Sequence, residues 1–220
     1  MISQSIQDYL KTIYRIQESS LDNRAKTQKI AEALGLTSAS VTGMLKRLAN
    51  MKLIDYNSYK GAKLTLGGKK IALEIIRHHR LLETYLKEIM GFSLDKVHDE
   101  ACRLEHYISD EFADKISEIL GNPKWDPHGH PIPSKDGKIT KLKEIQINKI
   151  DKGTEVEIVR LADDYPDILA YFEEKGIKPG LKVKIKDVSP FDGYIILTIN
   201  GKDTSIGYNV ASHLFVRALE

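Results

Sequence analysis

The sequence lacks the marks of an exported or membrane-bound chain. It has one cysteine in 220 residues, so no disulfide can close within a single chain, which suits a reducing compartment. No apolar run approaches the ~20 residues that span a bilayer. The opening stretch MISQSIQDYLKTIYRIQ is amphipathic and lacks the charged-then-apolar layout of a signal peptide. A cytoplasmic protein with no membrane partner is the expectation. There is no internal repeat, no low-complexity segment and no phosphate-cradling GxxxxGK[ST] loop.

What is present bounds the class. A hydrophobic content of 41% is enough to bury cores, and 220 residues suit two or three domains. The net charge of +2 hides a segregation. Residues 1–73 hold 12 Lys/Arg against 5 Asp/Glu, residues 74–140 hold 9 against 13, and residues 141–220 hold 12 against 13. The first third therefore carries all the excess positive charge, as expected of a domain that meets a polyanion.

Helical spacing of Ile6, Tyr9, Leu10, Ile13 and Ile16 predicts a first helix. TQKIAEAL predicts a second, with Thr27 as its cap and Gly35 as its left-handed stop. TSASVTGMLKRLANM predicts a third, with Val41, Leu45 and Leu48 inward. LIDYNSYKGAKLTLG reads as a hairpin turning at Lys60-Gly61. Two short helices followed by a hairpin is the layout of a winged helix-turn-helix. Thr37, Ser38, Ser40 and Thr42 place small hydroxyl groups at the reading end of the third helix. Lys46, Arg47 and the wing residue Lys60 add charge for the phosphate backbone. Ser38 and Ser40 are expected nearest the base edges.

A long helix is predicted from Gly67 to Gly91, and one or two more over LDKVHDEACRLEHYISDEFADKISEILG, together offering a dimerisation surface. NPKWDPHGHPIPSKDGK reads as a Pro/Gly-rich linker, with His128 and His130 as turn residues. Short alternating strands beyond it predict a small, strongly bent β-barrel. Treated as helix, HDEACRLEH puts His98, Cys102, Glu105 and His106 on one face, while His79 and Glu83 form an i, i+4 pair upstream. Such nitrogen, oxygen and sulfur donors suit Fe(II), Mn(II), Co(II), Ni(II) or Zn(II), not calcium or magnesium. A helical metal-dependent hydrolase or redox enzyme is the competing class.

KVHDEACRLEHYISDE, RHHRLLETYL and HGHPIP resemble the diphtheria toxin repressor family of iron- and manganese-dependent regulators. The resemblance spans the chain and implies a mainly α fold with a small β domain. Its expected parts are a winged helix-turn-helix over residues 1–73, a helical dimerisation and metal-binding domain with its linker over 74–140, and an SH3-like, FeoA-type domain over 141–220. It implies a homodimeric transcriptional repressor, not an enzyme, that binds a palindromic double-stranded DNA operator and takes no small organic substrate. Two divalent-metal sites per subunit are implied, for Fe(II) or Mn(II), with Zn, Co, Ni or Cd able to substitute in vitro. One would use Asp8, Cys102, Glu105 and His106; the other His79, Glu83 and His98, completed by Asp163 or Asp164. Asp8 matches the manganese-type pattern and Cys102 the iron-type one. Lys11 stands where manganese-type members carry a second first-helix carboxylate.

Overall fold

A computed structural model describes residues 2–163, 165–189 and 193–219. The chain forms two compact units. The first comprises Met1–His78, Glu105–Ile108 and Pro133–Lys138; the second comprises His79–Leu104, Ser109–Ile132 and Ile139–Glu220.

In the first unit, α1 (Gln4–Glu18) buries Ile6, Tyr9, Leu10, Ile13 and Tyr14, the stripe its spacing dictates. α2 (Thr27–Leu34) begins one residue earlier than the expected cap allows. Lys26 occupies the cap position and supplies no side-chain bond, because Thr27 is already helical. Gly35 does close the helix in the left-handed conformation, at φ 64°. α3 (Ser38–Asn50) is capped by Thr37, whose hydroxyl oxygen accepts from the Ser40 N–H at 3.3 Å. Val41, Leu45 and Leu48 anchor it in the core.

β1 (Ile54–Asn57) and β2 (Gly61–Leu64) pair antiparallel in the wing. The Asn57 side chain orders the turn by accepting from the Tyr59 and Lys60 N–H groups at 3.0 Å. Gly61 is required there: its φ is 92°, and a Cβ would lie 2.4 Å from the Ala25 carbonyl oxygen. The Ala25–Ala62 bridge holds the hairpin to the segment before α2.

α4 (Leu66–Glu88) passes from the first unit to the second between His78 and His79. The second unit adds α5 (Val97–Leu104), α6 (Asp110–Ile119) and a six-stranded antiparallel sheet in the order β3-β8-β4-β5-β6-β7. Its strands are β3 (Ile145–Gln146), β4 (Glu155–Leu161), β5 (Lys182–Val188), β6 (Tyr194–Ile199), β7 (Lys202–Gly207) and β8 (Leu214–Ala218). Two helices, α7 (Pro166–Glu174) and the short α8 (Tyr208–Ala211), interrupt the strands. Bulges at Ile158/Arg160 and Ile185/Asp187 bend the sheet around Val156, Ile158, Phe172, Ile185, Leu197 and Val216. On the outer face of β5, Lys184 pairs with Glu155 and Lys186 with Asp203. The stretch read as a linker is an ordered strap: Asp126, His128 and Ile132 are buried, and Trp125 bridges Pro131.

Gly61→Ala is expected to lower the unfolding free energy by roughly 2–4 kcal/mol, measured by urea titration. Gly43→Ala, whose added carbon meets nothing within 4 Å, is expected to stabilise α3 by up to ~1 kcal/mol.

Candidate metal centres and the DNA-facing helix

α5 ends at Leu104, so the single-face projection through residue 106 runs two residues too far. Glu105 and His106 lie in the turn that follows. They join Asp8 of α1 in the first unit, with one donor atom from each residue lying within 4.8 Å of the others. His106 Nε2 is 3.0 Å from Asp8 Oδ1 and 3.3 Å from Glu105 Oε1. Its other ring nitrogen, Nδ1, faces Gln7 Oε1 at 2.8 Å. A proton on Nδ1 donated to that amide oxygen leaves the Nε2 lone pair directed at the carboxylates, the arrangement in which imidazole binds a metal. Gln7 was not singled out from the sequence, although its place one residue before Asp8 on α1 was readable. Glu105 Oε1 also accepts from the Lys11 ammonium at 2.5 Å. His78, set aside on helical phase, is buried with Nδ1 3.3 Å from the Glu105 carbonyl oxygen.

The second unit gathers a larger cluster, and Cys102 belongs to it. Cys102 Sγ lies 3.6 Å from His98 Nε2 and 3.9 Å from His79 Nδ1. The opposite nitrogens of both rings face Glu83: His79 Nε2 at 2.9 Å and His98 Nδ1 at 3.1 Å from Oε1. The two imidazoles thus stand between a thiol and a carboxylate. His128, read as a turn residue, is fully buried with Nδ1 3.7 Å from Glu83 Oε2. Asp126 and His130 complete a further group of donors on the strap. Asp163 is close enough to act on His128 electrostatically, whereas Asp164 lies outside the described residues.

Electrostatics in this cluster follow from burial and partners. Burial alone would raise the Glu83 carboxyl, but the charge of His79 and the bonds from His128, His79 and His98 hold it well below the ordinary carboxylate range. Contact with Cys102, then with Glu83, lifts His98 to about 9. Burial pushes His128 down, and the Glu83 carboxylate outweighs it, leaving the group raised.

Both donor sets fit a divalent transition ion. The first offers two carboxylates and an imidazole whose Nδ1 is held against Gln7 Oε1. The second offers carboxylate, imidazole and one thiol, the mixture such ions accept. Asp126 Oδ2 and His128 Nδ1 are buried with charged neighbours only at longer range: Arg80 Nε at 3.6 Å and His130 Nδ1 at 3.4 Å from the first, and Glu83 Oε2 at 3.7 Å from the second.

On α3, Ser38, Ser40, Lys46 and Arg47 are exposed, as are Thr37 before it and Lys60 on the wing. Several hydroxyls are already engaged. Thr37 caps the helix and Thr42 donates to the Ser38 carbonyl at 2.7 Å, while Ser40 neighbours the Tyr9 side chain of α1.

Three family models match the chain in succession. They are the iron dependent repressor N-terminal DNA binding domain over residues 1–62, the iron dependent repressor metal binding and dimerisation domain over 65–134, and the FeoA domain over 145–218. The chain is 30% identical to the diphtheria toxin repressor of Corynebacterium diphtheriae, with 96% of each covered. It is 26% identical to the iron-dependent repressor IdeR of Mycobacterium leprae, with 92% of each covered. A manganese-dependent transcriptional repressor solved in complex with manganese superposes with a TM-score of 0.90 at 35% identity, covering 97% of this chain and 100% of that one. ScaR with bound Zn2+ superposes with a TM-score of 0.78 at 26% identity, covering 97% and 99%.

His98, raised from 6.5 to about 9, stabilises the metal-free fold fully below pH 6.5 and ceases to do so as pH rises through 9. The metal-free chain should therefore lose stability across that window in thermal melts. At pH 7 an ion entering the second cluster must displace the His98 proton. Calorimetry in buffers of different ionisation enthalpy should show net proton release on ion binding there, from His98 and from any thiol or imidazole that joins it; no release would mean that His98 is not a ligand.

Proposed function

This chain belongs to the diphtheria toxin repressor family, and we propose that the Asp8–Glu105–His106 centre is the switch by which a divalent ion turns on its DNA binding. The chain is a metal-dependent transcriptional repressor of the iron- and manganese-responsive class, not an enzyme. It binds DNA through its N-terminal domain and dimerises through its helical one.

One observation carries the assignment of the switch. Asp8 is on α1, and its neighbour Tyr9 lies beside Ser40 near the start of α3. Closing Asp8 against Glu105 and His106 therefore fixes α1, which packs on α2, the helix that packs in turn on the recognition helix α3. An ion bound there supplies a positive charge that lets two carboxylates and an imidazole share one point. The chain's own residues do the rest: Gln7 orients His106, and α2 passes the position of α1 to α3. A centre that favours the DNA-competent arrangement must in turn bind its ion more tightly on DNA.

The second cluster, with Glu83, His79, His98, Cys102 and His128 at its heart, is the proposed second ion site, and Asp126 and Asp163 lie beside it. The donor sets accommodate Fe(II) and Mn(II) alike. Homodimers would set two α3 helices about one DNA turn apart, or a multiple of it, on a palindromic operator. Ser38 is the hydroxyl left facing outward without an internal task, and Lys46, Arg47 and Lys60 meet phosphate.

Operator binding in gel-shift or anisotropy assays should vanish in excess chelator and return with Mn(II) or Fe(II). Binding unchanged by chelator would end the proposal. Glu105→Ala should yield a folded dimer that no longer binds DNA in response to metal. Lys46→Ala and Arg47→Ala should each weaken binding to all sequences alike and reduce the salt slope by about one.

A further inference from the structure

Lys11 follows Asp8 by three residues on α1, so both side chains leave the same face of the helix. Its side chain is only 10% exposed, and its ammonium lies 2.5 Å from Oε1 of Glu105, a carboxylate with no solvent exposure. The same oxygen is 3.3 Å from His106 Nε2. An ammonium group thus sits on the oxygen that faces His106 Nε2 in the first centre.

Such a pair needs a reason. Withdrawing an ammonium and a carboxylate from water costs several kcal/mol per ion, and an apolar pair often stabilises a fold as well or better. Removing one partner alone is costly, since the other is left buried and charged. Lys11 therefore solves a problem that arises only when the centre holds no ion, because Glu105 then needs another positive partner. Its charge also opposes any cation arriving beside Asp8, Glu105 and His106.

We propose that Lys11 is a tethered monovalent cation that holds Glu105 in the metal-free protein and sets the divalent-ion concentration at which the first centre fills. The proposal rests on the reading of that centre as the switch. It makes the metal-free protein a charge-balanced resting state, which an ion must outcompete.

The test is Lys11→Gln in the full-length chain, titrated with Mn(II) by calorimetry and melted with and without the ion. Affinity at the first centre should rise about tenfold or more, and the metal-free melting temperature should fall, widening the stabilisation by Mn(II). Lys11→Arg, which keeps the charge, should stay within about threefold of the parent affinity. Glu105→Ala identifies which calorimetric event belongs to the first centre. Should that variant lose no binding event, the reading of the centre fails. Should it lose one while Lys11→Gln binds Mn(II) no more tightly than the parent, only the role of Lys11 fails. A Lys11→Gln chain that folds only once Mn(II) is added supports the proposal. One that stays unfolded at saturating Mn(II) overturns it, since Lys11 would then be a requirement of the fold.

Discussion

A carboxylate withdrawn from water must find positive partners, and the second unit is organised around one. Glu83 is 1% exposed, and an isolated charge so placed would cost far more than a domain's whole stability margin. Its partners come from three separate segments: His79 from α4, His98 from α5 and His128 from the strap. Satisfying Glu83 therefore draws those segments together. The strap in turn reaches the sheet, for the His128 carbonyl accepts from the Leu161 N–H of β4 at 2.8 Å. Gly129 passes so near β4 that a Cβ would fall 2.1 Å from the Val159 carbonyl oxygen. One buried charge thus links helices, strap and β domain within the unit.

The first unit meets the same demand in another way. Glu105 is as deeply buried as Glu83, but its close partner is an ammonium rather than a set of imidazoles. The imidazoles around Glu83 are groups that can themselves ligate a metal, whereas the ammonium on Glu105 is not, so the two buried carboxylates are balanced by different chemistry.

Much of this was legible in the sequence because it is written in local patterns. The apolar stripes of α1 and α3, the Gly35 stop, the wing hairpin and the alternating strands all depend on neighbours within a few residues. The family resemblance, carried by HDEACRLEH, was legible for the same reason. The end of α5 was not, since no Gly or Pro marks Leu104 and the donor spacing continues the helical period through His106. Only the tertiary partners of Glu105 and His106, namely Asp8, Gln7 and Lys11, show why the chain leaves the helix there. His128 was hidden by flanking Pro and Gly, which signal a turn correctly but say nothing of the buried carboxylate beneath it. Thr42 shows what a pattern of residue types cannot say: its hydroxyl donates to the Ser38 carbonyl of its own helix.

The paired lysines of β5 have a consequence beyond the stability of the sheet. With Lys184 and Lys186 matched to Glu155 and Asp203, that face of the β domain offers a polyanion little attraction, and residues 141–220 as a whole carry one more acidic than basic side chain. The positive field comes from the first 73 residues. The attraction that draws this chain to DNA before contact therefore arises in the same residues that form its DNA-binding domain.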